Sequence, residues 1–306
     1  MPASLPTRLR PAVAVALLAM MSACARQSSE GDAHGVHTMS PPTSRTTGSG
    51  QGDASLPAGA LDVATRLARS PRHGEWAMIR TGPTDSVKAW VVFPERATKA
   101  PVVLVVHEIY GLSTWVRGVA DQLAADGYIA IAPDLLTGRV SPEAGADTLT
   151  QAAASAAIRT LASADVHRQL AAVGAYGMAL PAAERRYGIV GFCWGGSTSF
   201  MHAVMSPPGL GASVVYYGTS PADSLLGRVK VPVLGLYAGD DARVNATIAP
   251  AETAMRALGK SYTVHTFAGA GHGFLRQQDG KAGANLDASR NAWPFTLTFF
   301  RTHLGR

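Results

Sequence analysis

The chain has 306 residues, of which 47% are hydrophobic and 16% are charged, and its formal net charge is +6. This composition allows a sizeable buried core and excludes an intrinsically disordered chain, and the length fits one α/β domain. The basic excess is small and no basic stripe with interleaved aromatic residues is present, so we expect no nucleic-acid partner.

The N-terminal segment, residues 1–24, has the organisation of a signal peptide. Two arginines precede an apolar run over 12–21, and small residues follow immediately before Cys24. The run is shorter than the roughly 20 residues of a membrane-spanning helix, so we expect export rather than a transmembrane anchor. Residues 21–24, Met-Ser-Ala-Cys, also resemble a bacterial lipobox, although leucine is usual where this sequence has methionine.

We therefore predict an exported protein, periplasmic or anchored to the outer membrane by a lipid on Cys24, which would be its one membrane contact. The alternative is ordinary cleavage nearby, which gives a soluble secreted protein. Residues 25–70 are rich in Ser, Thr, Gly and Pro and predict a flexible tether, and 71–306 form the predicted folded domain, expected as a monomer. With Cys24 lipidated or removed, Cys193 has no disulfide partner, which invites a functional explanation for its thiol.

Strand and helix patterns alternate through this domain. Residues 101–106 are an unbroken aliphatic run, typical of a strand that helices cover on both faces. The alternation predicts a doubly wound, mostly parallel sheet with helices on both faces and with sites at the carboxyl ends of its strands. The other predicted strands are 128–132, 187–191, 212–217, 231–237 and 262–267, and the predicted helices are 114–126, 147–173, 195–205, 246–258 and 286–303.

The segment 187–197 predicts a nucleophile elbow. It runs from an apolar strand through a turn into a helix, and Gly191 and Gly195 flank Cys193 in the pattern G-x-C-x-G, the cysteine form of G-x-S-x-G. Small neighbours permit the strained turn that presents a nucleophile, and the N-terminus of the following helix would lower the pKa of the thiol. The alternative is a small buried core residue, a common role of cysteine.

A thiol nucleophile needs a base, and the base needs a carboxylate that orients it. His272 lies among glycines just beyond the last predicted strand and suits the base. Asp240 and Asp241 follow the strand predicted over 231–237, and we prefer Asp241 because Val244 stands three residues after it. The other aspartate would cap the following helix. The order nucleophile, acid, base is that of the α/β-hydrolase fold.

An oxyanion hole is predicted where the strand 101–106 ends, since α/β-hydrolases take one oxyanion amide from this place and one from the residue after the nucleophile. The predicted donors are the backbone N–H groups of Ile109 and Trp194. Two preorganised amides would each contribute roughly 3 to 4 kcal/mol to the transition state. Glu108 is less expected here, and by itself it fits a surface charge or an ion-pair partner.

Together these motifs resemble the dienelactone hydrolase (carboxymethylenebutenolidase) family over about residues 76–303. The resemblance implies an α/β-hydrolase fold and hydrolysis of a small ester or lactone. It also implies that Glu108 binds the cysteine in the resting enzyme and swings away when substrate arrives, which frees a thiolate. The matched segments are 106–111 (V-H-E-I-Y-G), 127–128 with 132–135, 191–196 (G-F-C-W-G-G), Asp241 and 271–274 (G-H-G-F).

The resemblance also gives Arg276 a role, because type members hold a substrate carboxylate with two arginines, one of them shortly after the catalytic histidine. The alternative pairs Arg276 with a surface acid such as Asp279. We also expect Tyr110 to bind substrate. The second family arginine is missing, and Arg139 and Arg159 are candidate replacements. This departure and the export signal argue against dienelactone itself as the natural substrate.

The predicted function is metal-free hydrolysis of a small ester or lactone through a thioester, in which Cys193 attacks and His272 shuttles the proton. We expect no cofactor and no metal, since neither a C-x-x-C pair nor an H-E-x-x-H helix is present. One alternative is a broad-specificity carboxylesterase of the cell envelope. Another is a hydrolase-fold lipoprotein that binds a ligand without turning it over.

Overall fold

The computed structural model describes residues 53–140 and 149–305. The predicted signal peptide, Cys24 and the first part of the predicted tether lie outside these residues. The described strands are β1 (Gly74–Arg80), β2 (Ser86–Val92), β3 (Ala100–Val106), β4 (Ile129–Pro133), β5 (Ala183–Phe192), β6 (Leu210–Tyr216), β7 (Val233–Ala238) and β8 (Tyr262–Phe267). The described helices are α1 (Val63–Ala68), α2 (Thr114–Ala125), α3 (Gln151–Arg159), α4 (Ser163–Ala179), α5 (Trp194–Met205), α6 (Asp223–Leu226), α7 (Ala242–Asn245), α8 (Ile248–Ala257) and α9 (Ala284–Leu304).

The strands form one sheet in the order β1-β2-β4-β3-β5-β6-β7-β8. The six strands from β4 to β8 in this order are parallel, and β2 pairs antiparallel with both β1 and β4. One face packs against α1, α2 and α9, and the other packs against α4, α5 and α8. The predicted doubly wound sheet with helices on both faces is confirmed.

The direction of winding reverses between β3 and β5. From β3 the chain crosses to β4 on one side, and it then returns past β3 to β5 and continues to β8 on the other side. Loops that leave two such strands diverge, which opens a crevice at their carboxyl ends. Every residue of β3 is buried, as its aliphatic run predicted. The crevice is therefore bordered by rigid central strands.

The antiparallel hairpin β1–β2 is not among the strands predicted from the sequence. Its exposure pattern gives the reason, because β1 has a single fully buried residue, Ile79, and Trp76 and Met78 are exposed. A strand at the edge of a sheet needs only one apolar face, so its signal is weaker than the continuous run of a central strand.

The helix predicted over 147–173 is wrong in extent, since the described part of this segment contains two helices. α3 ends at Arg159, where the Thr160 hydroxyl donates to the carbonyl of Ala157, and α4 begins again at Ser163. Threonine and serine compete for the backbone hydrogen bonds of a helix and so favour its ends. An alanine-rich composition hides this break.

The tether predicted over 25–70 is wrong for residues 53–70. Leu56 and Val63 are buried in the core cluster that includes α2 and α9. The Arg66 guanidinium donates to the carbonyl of Leu56 at 2.7 Å and to the side chain of Gln122 at 2.6 Å. A few apolar residues in a polar segment are sufficient to attach it to the domain. No helix in the described residues is long and apolar enough to span a bilayer.

Candidate active site

Cys193 stands between β5 and α5 in a strained turn. Its φ of 57° and ψ of −116° are rare for a residue with a side chain and cost about 1 to 3 kcal/mol. Its N–H donates to the carbonyl of Tyr216 at 3.1 Å, which ties the turn to β6. A Cβ on Gly191 would overlap the backbone of Gly195, so the flanking glycines are needed to close the turn. Cys193 thus lies at the carboxyl edge of the sheet beside the β3–β5 crevice.

His272 and Asp241 meet at the same edge. Asp241 follows β7 and His272 follows β8, and the imidazole Nδ1 lies 2.5 Å from Asp241 Oδ2. The other carboxylate oxygen of Asp241 accepts the N–H of Val244 at 3.4 Å. Asp240 instead faces outward, with half of its side chain exposed and its carboxylate 3.1 Å from Lys281 Nζ. Of the two adjacent aspartates, Asp241 is therefore the one that orients His272.

The orientation of His272 leaves one ring nitrogen available. A carboxylate only accepts hydrogen bonds, so Nδ1 carries a proton, and in the neutral ring Nε2 is the nitrogen that presents a lone pair. The bond to Asp241 is the one hydrogen bond of the ring within the described residues. Nε2 therefore makes no hydrogen bond with Cys193 among the described residues. Catalytic hydrogen bonds of this kind often form only when substrate binds.

The groups around the Cys193 thiol shift its pKa in opposite directions. Burial raises its pKa, and so does the negative charge of Glu108, whereas the N–H groups of Trp194 and Ile109 and the guanidinium of Arg243 lower it. The net shift of the pKa is upward, which corrects the expectation that the helix N-terminus would dominate. The two amides predicted as oxyanion donors both lie close enough to the sulfur to lower its pKa. A raised pKa favours the protonated thiol near neutral pH.

Glu108 is an almost fully buried carboxyl group, with 3% of its side chain exposed. Its Oε2 lies 2.7 Å from Arg276 Nε, so it is an ion-pair partner rather than a surface charge. The two atoms are at hydrogen-bond distance, although they are not well aligned for a hydrogen bond. Burial raises the pKa of Glu108 to about 7 and outweighs the opposing attraction of Arg276.

The same guanidinium also contacts Tyr110. Arg276 lies 4.9 Å from the centre of the Tyr110 ring, and its Nη2 is 3.5 Å from the hydroxyl. Arg276 therefore contacts both Glu108 and Tyr110, the other residue predicted to bind substrate, and it pairs with Glu108 rather than with Asp279. The candidate replacements for the second arginine, Arg139 and Arg159, are exposed.

Residues 87–304 match the family model described as the dienelactone hydrolase family. The chain belongs to this family. A putative carboxymethylenebutenolidase of Salmonella typhi is 29% identical over 82% of this chain and 97% of its own length. Another, of Methylorubrum extorquens, is 31% identical over 71% of this chain and 77% of its own. The crystal structure of a putative dienelactone hydrolase from Klebsiella pneumoniae subsp. pneumoniae MGH 78578 has a TM-score of 0.66 and 26% identity, and it covers 76% of this chain and 99% of that one.

Membership of the dienelactone hydrolase family confirms the predicted resemblance, the α/β-hydrolase fold and the enzyme class, a hydrolase acting on ester bonds. The fold also extends to more distant proteins. The acylaminoacyl peptidase of Pyrococcus horikoshii has a TM-score of 0.56 at 16% identity, and the match covers 79% of this chain and 44% of that one. At that identity the likeness concerns the fold alone.

Two neighbours of the thiol were not anticipated. Tyr217 follows β6 with a φ of 41°, its ring centre is 5.1 Å from that of His272, and its hydroxyl is buried without a partner among the described residues. Arg243 follows Asp241 by two residues and is exposed. Tyr217 stands where a predicted strand ends, which is a usable signal. Arg243 carried no sequence signal beyond its closeness to Asp241.

Proposed function

We propose that the protein hydrolyses a small ester or lactone through a thioester on Cys193, with His272 as the base and Asp241 as its orienting acid. One observation carries this proposal: Cys193 occupies a strained turn beside the backbone N–H groups of Ile109 and Trp194, on the same sheet edge as the His272–Asp241 pair. Strain that the surrounding structure maintains is characteristic of catalytic positions.

The first half of the reaction forms the thioester. His272 Nε2 takes the thiol proton, and the sulfur attacks the carbonyl carbon of the substrate. The carbonyl oxygen becomes an oxyanion that accepts hydrogen bonds from the N–H groups of Ile109 and Trp194. When the carbonyl re-forms, the bond to the leaving oxygen breaks, and His272 returns the proton to that alkoxide.

The second half consumes water. His272 takes a proton from the water, whose oxygen attacks the thioester carbonyl, and the same two amides stabilise the second oxyanion. Collapse breaks the carbon–sulfur bond and gives the carboxylic acid, and His272 reprotonates the sulfur. A neutral thiol becomes a nucleophile only when it gives its proton to the imidazole. We therefore expect the binding of substrate to bring the thiol and the imidazole into contact. Movement of Glu108 away from the thiol would remove one of the two causes that raise its pKa.

The pair of Glu108 and Arg276 suggests how substrate could trigger that movement. A substrate carboxylate beside Arg276 would compete with Glu108 for the guanidinium, and the freed Glu108 would be left buried with its charge uncompensated. It would then move or take up a proton. The proposed substrate class is therefore a small ester or lactone that bears a carboxylate.

A broad-specificity carboxylesterase is the second candidate function. Two observations favour it. Arg276 is already paired with the carboxylate of Glu108, and Arg139 and Arg159, the candidate replacements for the second arginine, are exposed. A site of that kind would accept neutral esters without exchanging the ion pair. We further propose, from residues 1–24 alone, that the protein is exported and bears a lipid on Cys24.

The test is a panel of lactones, aryl esters and acyl thioesters, each in a neutral and a carboxylated form, assayed with the full-length protein and with Cys193→Ala as the blank. We expect turnover that the blank lacks, and an acyl adduct on Cys193 in the intact mass of rapidly quenched samples. Equal rates for wild type and Cys193→Ala would refute the thioester route. Equal kcat/KM for neutral and carboxylated esters would favour the carboxylesterase.

A further inference from the structure

His107, the first residue after β3, has no role in the mechanism above. It is completely buried, and both of its ring nitrogens have partners. Nδ1 lies 2.7 Å from the carbonyl oxygen of Glu108, and Nε2 lies 3.3 Å from the backbone nitrogen of Leu135, which follows β4. The ring stacks on the indole of Trp194, with 5.5 Å between centroids and 21° between planes.

These partners fix the protonation state of the ring. A carbonyl oxygen only accepts a hydrogen bond, so Nδ1 must carry a proton and donate it. A backbone N–H only donates, so Nε2 must be unprotonated and accept. The ring is therefore the neutral tautomer with its proton on Nδ1. Complete burial also lowers the pKa of His107, which keeps the ring neutral.

The hydrogen bond to Glu108 has a consequence for the next residue. The carbonyl of Glu108 and the N–H of Ile109 belong to one planar trans peptide and point in opposite directions. Whatever holds the carbonyl therefore sets the direction of the N–H. In this structure the Ile109 N–H lies close enough to the Cys193 sulfur to lower the pKa of the thiol. The N–H of Gly111 also donates to the same carbonyl, at 3.3 Å, so His107 provides the shorter of two contacts.

We propose that His107 is a positioning residue that aims the Ile109 N–H into the oxyanion hole. Its imidazole holds the peptide of one donor while it stacks on the side chain of Trp194, the residue that supplies the other. The Leu135 N–H fixes the far side of the ring, so β4 is part of the support. This inference rests on the proposed function, because it assigns a role in stabilising the oxyanion of that reaction.

Two substitutions separate the two hydrogen bonds of the ring. In His107→Asn the amide nitrogen can occupy the position of Nδ1 and donate to Glu108, whereas the contact with Leu135 is lost. In His107→Gln the longer amide can reach the position of Nε2 and accept from Leu135, whereas the donor at Nδ1 is lost. His107→Leu removes both. Thermal unfolding of each variant reports how much of any effect is general destabilisation.

Loss of one oxyanion donor costs about 100- to 1000-fold in kcat. Because the Gly111 N–H still holds the Glu108 carbonyl in part, we expect smaller losses, of about 10- to 100-fold in kcat, for His107→Gln and His107→Leu. KM should stay within about threefold of wild type, since the interaction forms in the transition state. Asn should stay within about threefold of wild type in kcat. Equal losses in Asn and Leu, or a wild-type kcat in Gln, would overturn the proposal.

A second readout does not need a substrate. The Ile109 N–H also lowers the pKa of the thiol, so the pH profile of Cys193 alkylation by iodoacetamide should move to higher pH in His107→Gln and stay in place in His107→Asn. An inactive wild type would end the proposed function, whereas this profile would still decide the role of His107. If the variants do not fold, nitrogen NMR of the His107 imidazole in the wild-type protein tests the assigned tautomer instead. A proton on Nε2, or a ring that titrates between pH 5 and 8, would contradict the assignment.

Discussion

Replacement of Glu108 by glutamine tests the electrostatics of the site through stability. The ordinary pKa of this carboxyl group is 4.5, and burial raises its pKa in the folded protein to about 7 despite the ion pair with Arg276. As the pH rises, the unfolded chain loses this proton first. Folding therefore becomes progressively less favourable between about pH 4.5 and pH 7. The difference between the two pKa values corresponds to about 3 kcal/mol in the free energy of unfolding.

Glutamine is neutral at every pH and resembles the protonated form of Glu108. Glu108→Gln and wild type should therefore be equally stable near pH 4.5, and the variant should be more stable by about 3 kcal/mol at pH 8. For a domain of this size that corresponds to roughly 5 to 10 °C in Tm. The measurement is thermal unfolding of both proteins from pH 4.5 to pH 8.5, expressed as the difference in Tm at each pH.

The matched control for Glu108→Gln is Asp240→Asn. Asp240 also pairs with a basic residue, Lys281, but half of its side chain is exposed, so its difference profile should be nearly flat. Parallel curves for wild type and Glu108→Gln would refute the reasoning, because they would mean that the attraction of Arg276 offsets burial. The same variant should also alkylate at lower pH on Cys193, since the Glu108 charge raises the pKa of that thiol.

The remaining predictions concern the triad, the substrate and the membrane. Cys193→Ala and His272→Ala should each abolish turnover, Asp241→Asn should cost less, and the Cys193–His272 double variant should be little worse than either single one, as kcat on an aryl ester will show. A multiplicative loss in the double variant would contradict a shared step. Arg276→Ala should lower kcat/KM for carboxylated esters by about 10- to 100-fold and spare neutral esters; equal losses would remove the carboxylate contact. Cys24→Ser should move the protein from the membrane fraction to the soluble fraction, and a wild type that is wholly soluble with Cys24 unmodified would exclude the lipid anchor.

The sequence allowed much of this site to be predicted because its residues occupy fixed places relative to strands. Cys193, Asp241 and His272 each follow a strand that an aliphatic or β-branched pattern identifies, and the carboxyl ends of parallel strands meet at one edge. Local pattern and fold topology together bring these three residues to one site. The hairpin β1–β2 and the break between α3 and α4 were missed, because an edge hairpin and a short helix break have weak local signals.

The contacts that control the thiol could not be predicted in the same way. Glu108 and Arg276 are far apart in the sequence, and their pairing depends on side-chain direction, which strand periodicity does not report. The direction of the pKa shift of Cys193 could not be predicted for a related reason. A helix N-terminus is visible in the sequence, whereas the burial that outweighs it appears only when the packing is known.

The two sets of contacts also differ in how rigidly the fold has to hold them. The proposed triad and the two proposed oxyanion amides need fixed geometry, and they rest on strand ends and on buried supports such as His107, which holds one amide from the end of β3. The pair of Glu108 and Arg276 joins two loops through a buried contact of 2.7 Å, and burial raises the pKa of this carboxyl group to about 7. A carboxyl group with that pKa can take up a proton near neutral pH when a substrate competes for Arg276, while the amides beside it stay in place. The arrangement therefore suits an enzyme that keeps its thiol protonated until a substrate displaces a neighbouring charge.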